Sequence, residues 1–166
     1  MTSEKSTFKL GLKRDLTTSA IVFLVTLLPC LSFAGLGDVD GSIERDRVKM
    51  RASHVVVIKP QYSIHDLKTP DGSRVRQYVS LNGQVFAVTW STQYKPDMSS
   101  LLGNSFGSYD AATQAAGSRG GIQRQMRHET QDLYVQANSH LNIFSGSAYL
   151  KSASPQGFGP NSFSLE

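Results

Sequence analysis

YSIHDLKTPDGSRVRQYVSLNGQVFAVTW, residues 62–90, carries the strongest structural signal in the chain. Asn82-Gly83 separates two stretches of alternating apolar and polar side chains. That dipeptide suits a two-residue type I′ turn, because both of its residues tolerate positive φ. The turn pairs Leu81 with Gln84, Val79 with Phe86, Gln77 with Val88 and Val75 with Trp90. Val75, Val79, Leu81, Phe86, Val88 and Trp90 then share one face, as a half-buried hairpin requires. Upstream, Pro70-Asp71-Gly72 is a second turn, in which proline pre-sets φ and glycine accepts the left-handed position. Folding back there sets Leu67 near Val75 and Asp66 near Arg76. The result is a three-stranded antiparallel meander.

Elements of other kinds flank it. Pro96-Asp97-Met98 opens a helical stretch in which Met98, Leu101, Leu102, Phe106 and Tyr109 recur at spacings of three and four. Ala111, Ala112, Ala115 and Ala116 favour its continuation, while Gly103 and Gly107 weaken it, so one helix or two short ones are expected. Gly117–Gly121 breaks it. Asp132–Ala137 and Leu141–Leu150 read as a C-terminal hairpin joined by Asn138-Ser139-His140. Upstream, Ser42–Arg51 suits a short helix capped by Ser42, with Glu44 near its positive end. Strands, then a helix, then more strands, without regular βαβ alternation, predict an α+β fold: a three-stranded meander plus a C-terminal hairpin, with one or two short helices. The expected divisions are residues 1–34 as a leader, 35–60 as an N-terminal segment, 61–151 as the core, and 152–166 as a loose tail rich in Ser, Pro and Gly.

The leader has the order of a secretory signal. Lys5, Lys9, Lys13 and Arg14 precede an uncharged run, Leu16–Leu36, whose most apolar part is AIVFLVTLLPCL at residues 20–31. Ser32-Phe33-Ala34 then places small residues where a signal peptidase reads, so cleavage is expected between Ala34 and Gly35. The apolar core is shorter than the ~20 residues a membrane span needs, and Pro29 interrupts it. Membrane contact is thus expected only through the transient leader, with an uncleaved membrane anchor as the alternative, and the destination is periplasmic or extracellular.

Two inferences depend on that cut. Cys30 is the only cysteine, so the mature chain has no disulfide, thiolate metal ligand or cysteine nucleophile. The chain has 17 basic and 13 acidic residues; four of the former and two of the latter leave with the leader, which lowers the net charge from +4 to +2. Much of the basic character therefore belongs to the export signal, and nucleic acid is not an expected partner.

Several ordered motifs point to a family. Tyr62–Leu67, Pro70, Gly72 and Val75–Val79 carry part of the likeness. Gly83–Trp90, Pro96-Asp97-Met98, Leu101-Leu102-Gly103 and Ala148-Tyr149-Leu150 carry the rest. Together they resemble domain-of-unknown-function family 2844, a group of small exported proteobacterial proteins. The resemblance spans roughly Tyr62–Leu150 and implies an exported bacterial protein, with no catalytic residues to carry across. Most matched positions are also turn glycines or core residues, which folding itself demands. Ser145-Gly146-Ser147-Ala148-Tyr149 additionally resembles the Ser-Gly-x-x-Tyr stretch of periplasmic inhibitors of chicken-type lysozyme. Those proteins are usually disulfide-bonded barrels, and a cysteine-free mature chain departs from that pattern.

Dedicated chemistry is sparse. His54, His65, His128 and His140 are scattered, without HExxH, HxH or CxxC, so no metal site or cofactor is expected. No serine sits in GxSxG or SxxK, and Gly117–Gly121 lacks the phosphate-cradling pattern. Asp66, Asp71, Asp97, Asp110 and Asp132 each have a local reading as strand partner, turn, cap or surface residue. No catalytic residue is named. Arg119, Arg124, Arg127 and His128 form a basic stretch that reads first as a solvated loop and, alternatively, as a contact for an anionic surface. The face opposite the meander core carries Tyr62, Ile64, Asp66, Arg76, Tyr78, Ala87 and Thr89; it either lies beneath another element or docks a glycan or peptide. Tyr62, Asp66, Arg76, Tyr78, Arg124 and Arg127 are the expected binding surface. The sequence thus reads as an exported, non-catalytic binding or accessory module of the cell envelope, partnered by a protein, glycan or anionic surface. The alternatives are a small periplasmic hydrolase built from dispersed residues and a lysozyme-inhibitor-like protein.

Overall fold

The computed structural model describes residues 35–117 and 125–163. Seven antiparallel strands form a single sheet: β1 Ser53–Ile58, β2 Tyr62–Lys68, β3 Arg74–Ser80, β4 Val85–Thr92, β5 Gln125–Glu129, β6 Leu133–His140 and β7 Ile143–Leu150. Their spatial order is β1-β2-β3-β4-β7-β6-β5. The fold is α+β, but its sheet is not the three-stranded meander plus separate hairpin that the turns predict. Strand β4 pairs with β7 from Ala87↔Tyr149 to Thr92↔Phe144, which fuses the two units, and β1 and β5 extend the sheet at either end. The physical reason lies in β4. Val85, Phe86, Ala87, Val88 and Trp90 are all buried, so neither face of this strand meets water. A strand of that kind sits at the centre of a sheet, where both lines of backbone groups are paired.

The meander's register also differs from the type I′ expectation. The turn has three loop residues: the Gly83 amide donates to the Ser80 carbonyl and the Ser80 amide to the Gln84 carbonyl. Gly83 alone takes the left-handed conformation, at φ 80°, which is the type I turn with a G1 bulge. Val79 therefore pairs with Val85, not with Phe86. A second irregularity follows at once, because Tyr78 pairs with Ala87 and Phe86 is left over as a bulge residue. The two offsets cancel, so Gln77↔Val88 and Val75↔Trp90 stand as the alternation predicts. Between them, Phe86 is turned to the opposite face, where it packs with Tyr78, Ala87, Tyr134 and Tyr149. Leu81 is exposed on the turn. In the second hairpin, Asn138-Ser139-His140 belongs to β6, and the reversal falls at Leu141-Asn142, with Leu141 at φ 54°.

Helices cover one face of the sheet. They are α1 Ile43–Met50, α2 Met98–Leu102 and α3 Phe106–Gly117. Asp97 caps α2 by accepting from the amides of Ser99 and Ser100. Leu36, Val75, Val88, Trp90, Leu102, Leu133, Val135 and Ala148 form the core on this side, with Met98, Leu101, Phe106 and Tyr109 packed against it. Ile43, Ala52, Leu67, Val79 and Val85 form a second cluster under α1. The other face is covered in part by the C-terminal segment, whose composition reads as loose. Phe158 and Phe163 fold back onto the sheet and meet Tyr62, Tyr78, Phe86 and Tyr149 at ring separations of 4.9–6.0 Å, mostly edge-on.

Candidate functional site

Cross-strand neighbours share a face, so the strand register orders the side chains of the tail-covered face into rows. One row runs Ile64, Tyr78, Ala87, Tyr149, Tyr134 across β2, β3, β4, β7 and β6. This is the aromatic row that Phe158 and Phe163 cap. The next row runs Asp66, Arg76, Thr89, Ser147, Gln136, Arg127, and the one beyond it Lys68, Arg74, Ser91, Ser145, Asn138, Gln125. The character changes abruptly from aromatic to polar. The members of the polar rows on β3, β4, β7 and β6 floor a trough of about 530 Å³, with Phe163 and Pro160 of the described tail as its wall.

The trough's charge is set at one end. The Asp66 carboxylate accepts from Arg74 Nε at 2.8 Å, is paired with the Arg74 guanidinium a second time, and accepts from Arg76 Nε at 3.2 Å. Burial alone would raise the Asp66 carboxyl, but the hydrogen bonds and charges of both arginines outweigh it and hold the group below the ordinary carboxylate range. The arginines are thereby oriented, and the trio keeps one net positive charge. Beyond them the floor is made of hydroxyls and primary amides. These groups donate and accept in fixed directions but offer no acid or base near neutral pH. Such a floor can read a polar ligand and hold it beside an aromatic wall.

The expected binding residues divide between two environments. Asp66 and Arg76 stand together at the trough. Tyr62 and Tyr78 lie under Phe158 in the aromatic cluster, so they are packing residues. Arg127 pairs with Gln136, one strand beyond the trough floor, and its guanidinium lies 5.2 Å from the Tyr134 ring centre while it bonds Glu129. Arg124 and Arg119 fall outside the described residues, as does Ala34. Sequence reading missed Arg74, Ser91, Gln136, Asn138, Ser145, Ser147 and Phe163. The polar alternation in β6 and β7 was visible, but its meaning depended on β7 docking beside β4.

The groups that a hydrolase would need are gathered elsewhere. His54 Nε2 lies 3.1 Å from His65 Nδ1, and Ser63 Oγ lies 3.1 Å from His65 Nε2, on the helix-covered face. Asp40 approaches that same Nε2, at 3.7 Å. In a nucleophilic triad the acid orients the nitrogen opposite the nucleophile; here acid and hydroxyl share one nitrogen. Burial, the largest influence, lowers His65 below the ordinary imidazole value, with the neighbouring His54 acting in the same sense and Asp40 opposing. His128 Nε2 meets Ser108 Oγ at 3.0 Å on an exposed surface. Among the described residues, no group of three or more His, Cys, Asp or Glu side chains is arranged to hold a metal ion.

Gly146, in the lysozyme-inhibitor-like stretch, has a packing role. It pairs with Trp90 on one side and Ala137 on the other. A Cβ built on it would stand 2.8 Å from Trp90 Cε2, and closer still to Cζ2 and to the Gln136 carbonyl oxygen. The glycine is there because the indole crosses its strand.

Residues 32–163 match the family described as Protein of unknown function (DUF2844). The chain belongs to this family. No curated protein and no solved structure matches the chain. The matched span takes in the whole sheet, the three helices and the tail through Phe163, so the trough is formed entirely within the family domain.

Proposed function

We propose that this DUF2844 domain is an exported, non-catalytic binding module, and that its ligand is a glycan chain held in the polar trough. One observation carries the reading: two adjacent rows of Arg, Thr, Ser, Gln and Asn side chains, left uncovered by the described residues beside an aromatic wall, on a face whose remaining central row is sealed by the tail. Sugars present rings with apolar faces and rims of hydroxyls. Phe163 offers a surface to the first, and Ser91, Asn138, Ser145 and Gln136 offer donors and acceptors to the second. The trough is open along the rows, which suits a chain better than a small enclosed metabolite.

Export is supported by the basic leader, the short apolar core and the Ser32-Phe33-Ala34 exit, and by a family match that begins only at residue 32. No helix among the described residues is long and apolar enough to cross a membrane.

Binding is tested by titrating the isotopically labelled protein with an array of neutral and acidic oligosaccharides and following amide shifts. Shifts at Ser91, Asn138 and Ser145, abolished in Gln136→Ala/Asn138→Ala but kept in Thr113→Ala, are expected. Absence of any glycan-induced shift, or shifts confined to other surfaces, refutes the ligand assignment. Amino-terminal sequencing of the protein from an exporting host is expected to begin at Gly35; recovery of Met1 or Thr2 as the first residue refutes the processing.

A further inference from the structure

The two edges of the sheet are built differently. Edge strand β5 is five residues, QMRHE, and carries Arg127, His128 and Glu129, the kind of charged guard that keeps an edge from pairing with another chain. Edge strand β1 is SHVVVI and carries no such guard. It has no lysine, proline or bulge, and its pairing with β2 is regular from Ser53↔Lys68 to Ile58↔Ser63. Four consecutive aliphatic residues are open to solvent: Val55 at 60 %, Val56 at 46 %, Val57 at 43 % and Ile58 at 84 %. They point alternately to both faces, so neither the helices nor the tail shelters the strand.

The ladder also shows which backbone groups of β1 do not bond β2. The Lys59 amide donates to the Tyr62 carbonyl at 2.8 Å, which closes the β1–β2 hairpin. Hydrogen-bonded and non-bonded pairs alternate from there, so Val57, Val55 and Ser53 bond inward to β2 while Ile58, Val56 and His54 present their amides and carbonyls outward.

We infer that β1 is a self-association edge, which pairs antiparallel with β1 of a second copy about a two-fold axis at Val56. This surface is separate from the trough, and its assignment stands whether or not a glycan binds there. The argument for a second copy is the strand's self-complementarity. Centred on Val56, the outward residues meet as Val56 with Val56 of the second copy and His54 with its Ile58, about six backbone hydrogen bonds in all. On the other face Val55 meets Val57 of the second copy, so every valine of β1 finds an aliphatic neighbour. Charges are placed compatibly: Lys59 falls opposite Ser53 and Arg51 opposite Gln61, and no like charges face each other. Pro60 ends the pairing, since it has no amide to donate. The axis is normal to the sheet, as antiparallel pairing within one sheet requires, so both troughs open on the same side of the joined sheet. Two six-residue strands bury less than a standard interface of about 1,200–2,000 Å², so the dimer is a weak one whose population rises with local concentration.

The test uses the whole chain, purified as the cell delivers it and carrying Cys30→Ala so that any thiol is an introduced one. Sedimentation equilibrium is expected to show a monomer–dimer equilibrium, and Val56→Lys to weaken it at least tenfold with an unchanged thermal midpoint. Val56→Cys is expected to form a disulfide dimer on mild oxidation, because bonded antiparallel partners lie about 5.5 Å apart at Cα, while exposed Leu141→Cys does not. Hydrogen exchange gives a readout without mutation: the amides of His54, Val56 and Ile58 alone should slow as concentration rises. A monomer at every concentration, including one whose β1 amides slow only when a foreign protein is added, overturns the proposal. So does a dimer whose affinity is indifferent to Val56→Lys.

Discussion

Replacing Gly146 by alanine adds one methyl group at the point where β4 and β7 are joined. The Cβ would stand 2.8 Å from Trp90 Cε2 and nearer to the Gln136 carbonyl oxygen, inside the distance real Cβ atoms keep. Neither neighbour yields easily. The oxygen is backbone of β6, and the indole is 4 % exposed within the core beneath the helices. Overpacking of this kind costs about 1–3 kcal/mol, and loosening a ladder hydrogen bond beside Gln136 adds roughly 1 kcal/mol. Against this, alanine restricts the unfolded chain and returns about 0.4–1 kcal/mol. The net loss is about 1–3.6 kcal/mol, which at roughly 3–5 °C per kcal/mol for a domain of this size lowers the thermal midpoint by about 3–18 °C. Circular dichroism measures the midpoint, and Trp90, the only tryptophan, reports the displaced indole by a red shift in emission. An alanine variant as stable as the parent, with unchanged emission, would show that the indole does not cross β7 as described.

Other substitutions probe the two faces. Asp66 titrates below its ordinary value in the folded protein, so its contribution is present above about pH 4 and is lost as pH falls through the depressed folded value. Urea midpoints at pH 6 and pH 3 should differ less in Asp66→Asn than in the parent. His65 is lowered chiefly by burial; the unfolded chain takes up its proton first, so stability falls as pH drops below about 6.5. His65→Gln should flatten that region of the profile, and an unchanged slope would mean that the imidazole is not desolvated. Phe163→Ala removes ring contacts to Tyr78 at 5.7 Å and Phe158 at 5.3 Å. Because the ring is partly exposed, a loss of about 2 kcal/mol is expected, below the 3–5 kcal/mol of a wholly buried phenylalanine. Asp97→Ala should cost about 1 kcal/mol through loss of the α2 cap, read from the same denaturation curves.

Local chemistry in the chain determined a good deal. Turn residues at Pro70-Asp71-Gly72 and Asn82-Gly83 placed β2, β3 and β4 in order, alternation set the Val75↔Trp90 and Gln77↔Val88 pairs, and the motifs of the meander pointed to the family. Asp66 and Arg76 were legible as neighbours because a turn four residues away determines which side chains share a face. What no local pattern contained was the joining of β4 to β7, and everything that depends on it. The polar rows of the trough come from strands more than fifty residues apart, brought together only when a strand buried on both faces finds a second partner. Phe86 changed faces because a G1 turn and a bulge, each a shift of one residue, left it unpaired, and a period of two carries no record of such a slip. Strand β1 is a run of consecutive valines with no alternation to detect, and the tail's phenylalanines acquire a role only on a surface that the rest of the chain has to build first.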